Sequence, residues 1–293
     1  MSFQTSMAHL SLLILNILYA VSYFVVKGAC PQYIPASGFV FIRAIGATVL
    51  FWSLTFFLKP EKVERSDLKK LAYASLFGVV INQLSFFNGL VYTSSVNTAI
   101  IMTTTPLMAL VLSYFMLKER ISAQKILGMI IGFTGAVLII LNGRKSSEAT
   151  HPILGNALIL TNALAFTYFL VYVKPLMMKY NLFTVLKWVF LFGAVILFPI
   201  GLPGLLEVDW DFPPIIWGSI VYVVVGITFL TFILNLFALK QLSPSVVTAY
   251  IFSQPALTAV LSYFITGQVI TTLSIVATLL IFIGVYFVSI RRS

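Results

Sequence analysis

The sequence predicts an all-α integral membrane protein with ten transmembrane helices arranged as two inverted five-helix repeats, and three observations carry that expectation. First, 60% of the 293 residues are hydrophobic and only 9% are charged, against roughly 25% charged in soluble domains. No water-soluble core of this length could hide so much Leu, Ile, Val and Phe, whereas ten helices of about 20 residues would consume nearly all of it. Second, the apolar residues gather into ten segments. Third, TPLMALVLSYFMLKERIS (residues 105–122) returns as QPALTAVLSYFITGQVIT (residues 254–271). The two match at Pro106/Pro255, Val111/Val260, Leu112/Leu261, Ser113/Ser262, Tyr114/Tyr263, Phe115/Phe264 and Ile121/Ile270, all at one offset of 149 residues.

In chain order, Leu10–Val26 is longer than a signal-peptide core and follows nine residues without Lys or Arg, so an uncleaved first span is expected. Ala36–Leu58 is the second span and holds Arg43, seven residues from its start, about 10 Å deep at roughly 1.5 Å per residue. Leu71–Tyr92, the third, carries the amides Asn82, Gln83 and Asn88. Val96–Leu117, the fourth, is interrupted by Thr103, Thr104, Thr105 and Pro106. Ile121–Leu141, the fifth, contains Gly128, Gly132 and Gly135, spaced to let another helix approach closely; a helix of the same chain is expected there, with dimerisation the weaker alternative. The second half runs Ile153–Val173, Leu182–Ile200, Pro214–Leu239, Ser245–Thr266 and Val269–Ile290. Lys125 and Lys187 sit near span ends, where their stems can reach the interface. The longest linkers, Asn142–Pro152 and Gly201–Pro213, leave no room for a separate soluble domain.

Two repeats, residues 1–145 and 150–293, follow because Asn16–Lys27 (NILYAVSYFVVK) also loosely echoes Asn162–Lys174 (NALAFTYFLVYVK). Five spans per repeat is an odd number, so the second copy enters the bilayer upside down. That explains a difference between the copies: Lys118-Glu119-Arg120 in the first faces Gly267-Gln268-Val269 in the second. With an inside start, every Lys and Arg outside the spans except Lys27, Arg144 and Lys145 falls on one face, while the opposite face receives Glu207, Asp209 and Asp211. The positive-inside rule then puts both termini in the cytoplasm and the protein in the cytoplasmic membrane. Inverted repeats about an axis in the membrane plane are a transporter's architecture.

The ten spans, the run S-V-N-T-A-I…T-P-L…L-K-E-R-I-S over Ser95–Ser122, its second copy S-P-S-V-V-T-A-Y…Q-P-A over Ser243–Ala256, and Arg43 in the second span resemble the drug/metabolite transporter superfamily, specifically its EamA-type branch. The resemblance covers essentially the whole chain and implies efflux of amino acids, related metabolites or drugs. It also implies a scaffolding role for Arg43, since members with different substrates share that arginine. This chain departs from the pattern at Gln268, where the usual acidic residue is missing.

Chemistry is located by what hydrocarbon makes costly. No Asp or Glu lies within any span, and intramembrane acids are what mark proton relays, so facilitated or exchange transport is expected, with proton coupling by another group the alternative. Arg43 either grips a substrate carboxylate with its planar fork or caps a neighbouring helix. Pro106 and Pro255 each remove a backbone hydrogen bond near mid-membrane, freeing the carbonyls of Met102 and Ile251. Paired breaks of this kind are the expected position of a substrate site. The residues expected to meet there are Asn82, Gln83, Thr104, Asn235 and Gln254, with Phe86, Tyr19, Tyr23 and Tyr168 as aromatic walls. Amides beside aromatic faces suit a zwitterionic or uncharged small solute, an amino acid first.

Enzyme chemistry finds no footing. The sequence lacks HExxH, G-x-S-x-G and a phosphate-binding loop, and His9 and His151 are expected at the membrane interface. No metal site and no cofactor are expected. A single cysteine, Cys30, excludes an internal disulfide. The net charge of +10 belongs to topology and not to nucleic acid, leaving the bilayer and a small-molecule substrate as partners, with a monomer expected and a dimer open.

Overall fold

The computed structural model describes residues 3–26, 32–93, 95–142, 150–266 and 271–290. Within them every regular element is helical, and ten helices are long and apolar enough to cross a membrane. The protein is a multi-pass membrane protein. The first span is Phe3–Val26, the second Ala36–Thr55, the third Arg65–Tyr92 and the fifth Ala123–Asn142; the sixth is Pro152–Lys179, the seventh Leu182–Leu206, the eighth Pro214–Gln241 and the tenth Thr272–Ser289. The fourth consists of Ser95–Met102 followed by Thr105–Leu117, and the ninth begins at Pro244 and closes with the helix Ser253–Thr266. Several helices outrun the apolar segments read from sequence. Arg65–Lys70 at the head of the third span, largely polar, and Lys174–Lys179 at the tail of the sixth, bounded by two lysines, are both helical.

Those two polar ends meet. Asp67 accepts from Lys179 Nζ at 2.7 Å, from Lys70 Nζ at 2.7 Å and from the Tyr180 hydroxyl at 2.8 Å. Asp67 is buried, so the three donors replace the water that a carboxylate would otherwise need.

The contacts between spans have a symmetry of their own. The third span lies along the sixth, and the eighth lies along the first; the fourth touches the sixth, and the ninth touches the first. The second and seventh pack on one another, as do the fifth and tenth. Exchanging the first five spans for the last five maps this contact set onto itself, as a duplicated unit requires. Glycine permits the two self-paired seams. A Cβ on Gly128 would sit 2.8 Å from the carbonyl oxygen of Gly284, and one on Gly38 would sit 3.0 Å from the carbonyl carbon of Gly204, so any side chain would force the backbones apart. The GxxxG surface of the fifth span is thus used within the chain, against the tenth. Outward faces such as Ile130, Val195, Ile275, Leu279 and Phe282 remain exposed, as lipid-facing positions must.

Both proline breaks occur where the sequence placed them. The fourth span is interrupted at Thr103 and Thr104, and the ninth tightens into a 3₁₀ turn at Tyr250–Phe252 just before Pro255. A second irregularity has no mark in the sequence. The third and eighth spans each widen into π-helical turns, at Leu76–Ile81 and Tyr222–Leu230. A π turn carries an extra residue and rotates everything after it, and such turns gather at functional sites.

Candidate functional site

The four irregular helices surround one cavity of about 180 Å³ between the two halves. Helical periodicity decides which side chains reach it. The third span contributes Asn82, Gln83, Phe86, Phe87 and Leu90, and the first contributes Leu15, Asn16, Tyr19 and Ser22. Asn162, Phe166 and Leu170 come from the sixth, at a spacing of four. Val223, Ile227, Phe232 and Asn235 come from the eighth; Val247, Thr248, Ile251 and Gln254 from the ninth; Met102 from the fourth; and Arg43 from the second. Met102 and Ile251, the residues whose carbonyls the prolines free, both stand on the wall.

Of the residues expected from sequence, the structure brings together Tyr19, Arg43, Asn82, Gln83, Phe86, Asn235 and Gln254. Two do not join them. The Thr104 hydroxyl bonds back to the Ile101 carbonyl at 2.6 Å, spending itself on the broken turn. Tyr168 lies off the stripe formed by residues 162, 166 and 170, since two residues from Phe166 is roughly half a turn. Its ring instead packs 4.6 Å from Phe77 and 5.7 Å from Tyr172. The side chain of Tyr23 lies outside the described residues. Asn16 and Asn162, the first residues of the two echoing segments, were not among the expected site residues; both are on the wall and almost fully buried. Their equivalent positions in the two repeats were the signal that could have found them.

Arg43 is 8% exposed and firmly held. Its Nε donates to Thr228 Oγ1 at 2.9 Å, and its guanidinium carbon lies 5.2 Å from the centre of the Phe87 ring. Thr228 in turn donates to the Val223 carbonyl at 2.8 Å, five residues back in the π turn. Arg43 therefore ties the second span to the irregular stretch of the eighth while also lining the cavity. Among the described residues, it is the sole charged side chain of the lining. No carboxylate lies there.

The amides are hydrogen-bonded unevenly. Gln254 Nε2 donates to Asn16 Oδ1 at 2.9 Å, linking the ninth span to the first. Asn82 Nδ2 donates to the Asn162 carbonyl at 3.4 Å, and Asn162 Nδ2 to the Asn82 carbonyl at 2.8 Å, linking the third to the sixth. Tyr19 donates to Thr231 Oγ1 at 3.4 Å.

One end of the cavity is shut. Pro244–Ala249, the first turns of the ninth span, are buried throughout and pack on the second part of the fourth. There Ser245 Oγ donates to Glu119 Oε2 at 3.1 Å, and Glu119 also pairs with Lys125. Lys125 thus finds a carboxylate partner where snorkelling alone was expected. His9 is likewise not purely interfacial: its Nδ1 meets the Tyr250 hydroxyl at 2.7 Å. Of the repeat counterparts in the fourth span, Asn97, Ala99 and Ile100 are half-buried and Thr98 is buried.

The model of the EamA-like transporter family matches this chain twice, over residues 6–141 and 153–290. An uncharacterized transporter of Archaeoglobus fulgidus is 25% identical over 79% of this chain and 81% of its own length. The uncharacterized transporter YyaM of Bacillus subtilis is 25% identical over 95% of this chain and 93% of its own. A crystal structure of 15% identity superposes with a TM-score of 0.76 over 96% of both chains, a likeness of fold.

Proposed function

The chain belongs to the EamA-like transporter family, and from that premise we propose that it exports a small zwitterionic metabolite, an amino acid in the first instance, from the cytoplasm by alternating access. The observation that carries this reading is the cavity's charge. A lining that among the described residues holds the Arg43 guanidinium and no carboxylate, with Phe86, Phe87, Phe166 and Phe232 and amides as walls, favours a solute that brings its own carboxylate and an apolar side chain. A lipophilic cation would meet a guanidinium and, among the described lining residues, no carboxylate, which argues against a cationic-drug pump. A polyanion would need more than one cation. The proposed transport cycle exchanges the two repeats, residues 1–145 and 150–293, between equivalent conformations, with both termini in the cytoplasm.

Coupling follows from the same inventory. With Asp67 and Glu119 at span ends and no acid on the cavity wall, nothing there resembles a carboxylate proton relay. Transport is therefore facilitated or by exchange. The test is counterflow of labelled amino acids in proteoliposomes containing only this protein. Exchange is expected without an imposed pH gradient and with little change in initial rate when one is collapsed; accumulation strictly dependent on a proton gradient would refute the coupling, and absence of exchange for every amino acid would refute the substrate class.

A further inference from the structure

Several of the cavity's amides are committed to the protein, whereas Gln83 is buried with both its polar atoms unpaired. Asn16, Gln254 and Asn82 each donate to a protein acceptor. Gln83 is 2% exposed, and neither its Nε2 nor its Oε1 has a hydrogen-bond partner. The Oδ1 of Asn162, also on the wall, is buried and unpaired as well. A primary amide carries two N–H donors and a carbonyl acceptor, so these groups leave donors and acceptors unmatched on one lining surface. Buried polar side chains are satisfied in the large majority of cases, and an exception asks for an explanation. A packing role would be a poor one, since an apolar side chain of the same shape would pack equally well without the desolvation cost.

We propose that Gln83, together with the Asn162 carboxamide oxygen, is the specificity-determining contact of this cavity: it reads a solute head group that presents a hydrogen-bond donor beside an acceptor, an ammonium next to a carboxylate. The inference rests on the reading of the cavity as the transport site and deepens it. The free N–H groups of Gln83 take the solute's carboxylate oxygen, and the two amide oxygens take its ammonium hydrogens. Arg43 supplies the positive field that makes the acceptor end an anion. A solute lacking either end leaves one of these groups dry, at a cost of roughly 5- to 150-fold in affinity.

The test is thermal unfolding of the full-length, detergent-solubilised protein with three probes: L-leucine, N-acetyl-L-leucine, which lacks the ammonium, and 3-methylbutylamine, which lacks the carboxylate. A bound solute raises the transition by mass action. Leucine is expected to stabilise the parent protein more than either analogue does. In Gln83→Leu the ligand-free transition should be equal to or above that of the parent, while the leucine-dependent rise falls as a 5- to 150-fold weaker Kd requires. A Gln83 that merely supports the fold would do the reverse, lowering the ligand-free transition and leaving the leucine response intact; that result overturns the inference. Gln83→Glu serves if the leucine variant does not fold, because it keeps the shape and removes the donors. It should lose the leucine response and gain one to 3-methylbutylamine, and an unchanged leucine response would again overturn the inference. Leucine binding that survives in both variants leaves the proposed function standing and sinks only this assignment, whereas no response of the parent to leucine or to any other amino acid sinks both.

Discussion

Ser245 offers a clean way to loosen the closed end of the cavity. It is fully buried at the head of the ninth span, and its hydroxyl donates to Glu119 Oε2 at 3.1 Å. Glu119 and Lys125 belong to the first half and Ser245 to the second, so this bond joins the halves, whereas the ion pair lies within one of them. Ser245→Ala removes the joining bond, keeps the ion pair and barely changes the packed volume. A hydrogen bond to a charged group contributes about 1.5–3 kcal/mol. Because Lys125 continues to compensate Glu119, the lower figure applies, ~1.5 kcal/mol, a shift of roughly tenfold toward the arrangement in which this end has opened. The assay uses a background in which Cys30 is replaced and Val247, a buried cavity residue, becomes cysteine. In inside-out vesicles an impermeant maleimide should label that cysteine about tenfold faster when Ser245→Ala is present, since labelling samples the opened population. Glu119→Gln, which keeps an acceptor but drops its charge, should fall between the two. Equal labelling rates with and without Ser245→Ala would show that the Ser245–Glu119 contact does not hold this end shut.

Three further outcomes follow from the geometry and the charge pattern. A cysteine at Glu64 should be shielded from an impermeant thiol reagent in intact cells and one at Asp209 labelled, again without Cys30; labelling of the Glu64 position from outside would reverse the assigned topology. Alanine at Gln254 or Asn82 removes an amide that lines the cavity and links two spans, at a cost of about 1–3 kcal/mol, so most transport should be lost at matched expression, while Ser289→Ala at the end of the tenth helix should transport normally. Lys118 adopts φ 54° at the end of the fourth span, a left-handed conformation whose repeat counterpart in sequence is Gly267; Lys118→Gly should therefore leave the melting temperature unchanged or raise it, by an amount worth up to about 1 kcal/mol, and a clear fall would mean that the lysine side chain matters more than its backbone.

The sequence by itself determined the membrane class, the ten spans, the duplicated plan and the two proline breaks. Each of these rests on a property that a residue carries wherever it goes: the transfer cost of an apolar run, the missing N–H of proline, and recurrence at one offset. It also pointed to amides of the third, eighth and ninth spans, Asn82, Gln83, Asn235 and Gln254, all of which line the cavity. Only the tertiary structure decided which polar groups the protein uses up itself. Gln254 and Asn82 bond to Asn16 and to the Asn162 backbone, partners far away in sequence, while Gln83 next door to Asn82 is left unpaired. The π turns were illegible for a related reason: Leu76–Ile81 and Tyr222–Leu230 read as ordinary apolar helix, and each is packed against a span of the opposite half, the seventh and the second. Where the extra residue sits fixes the rotation of Gln83 and Asn235 about their helix axes. That rotation is set by packing between halves, a quantity no single segment contains.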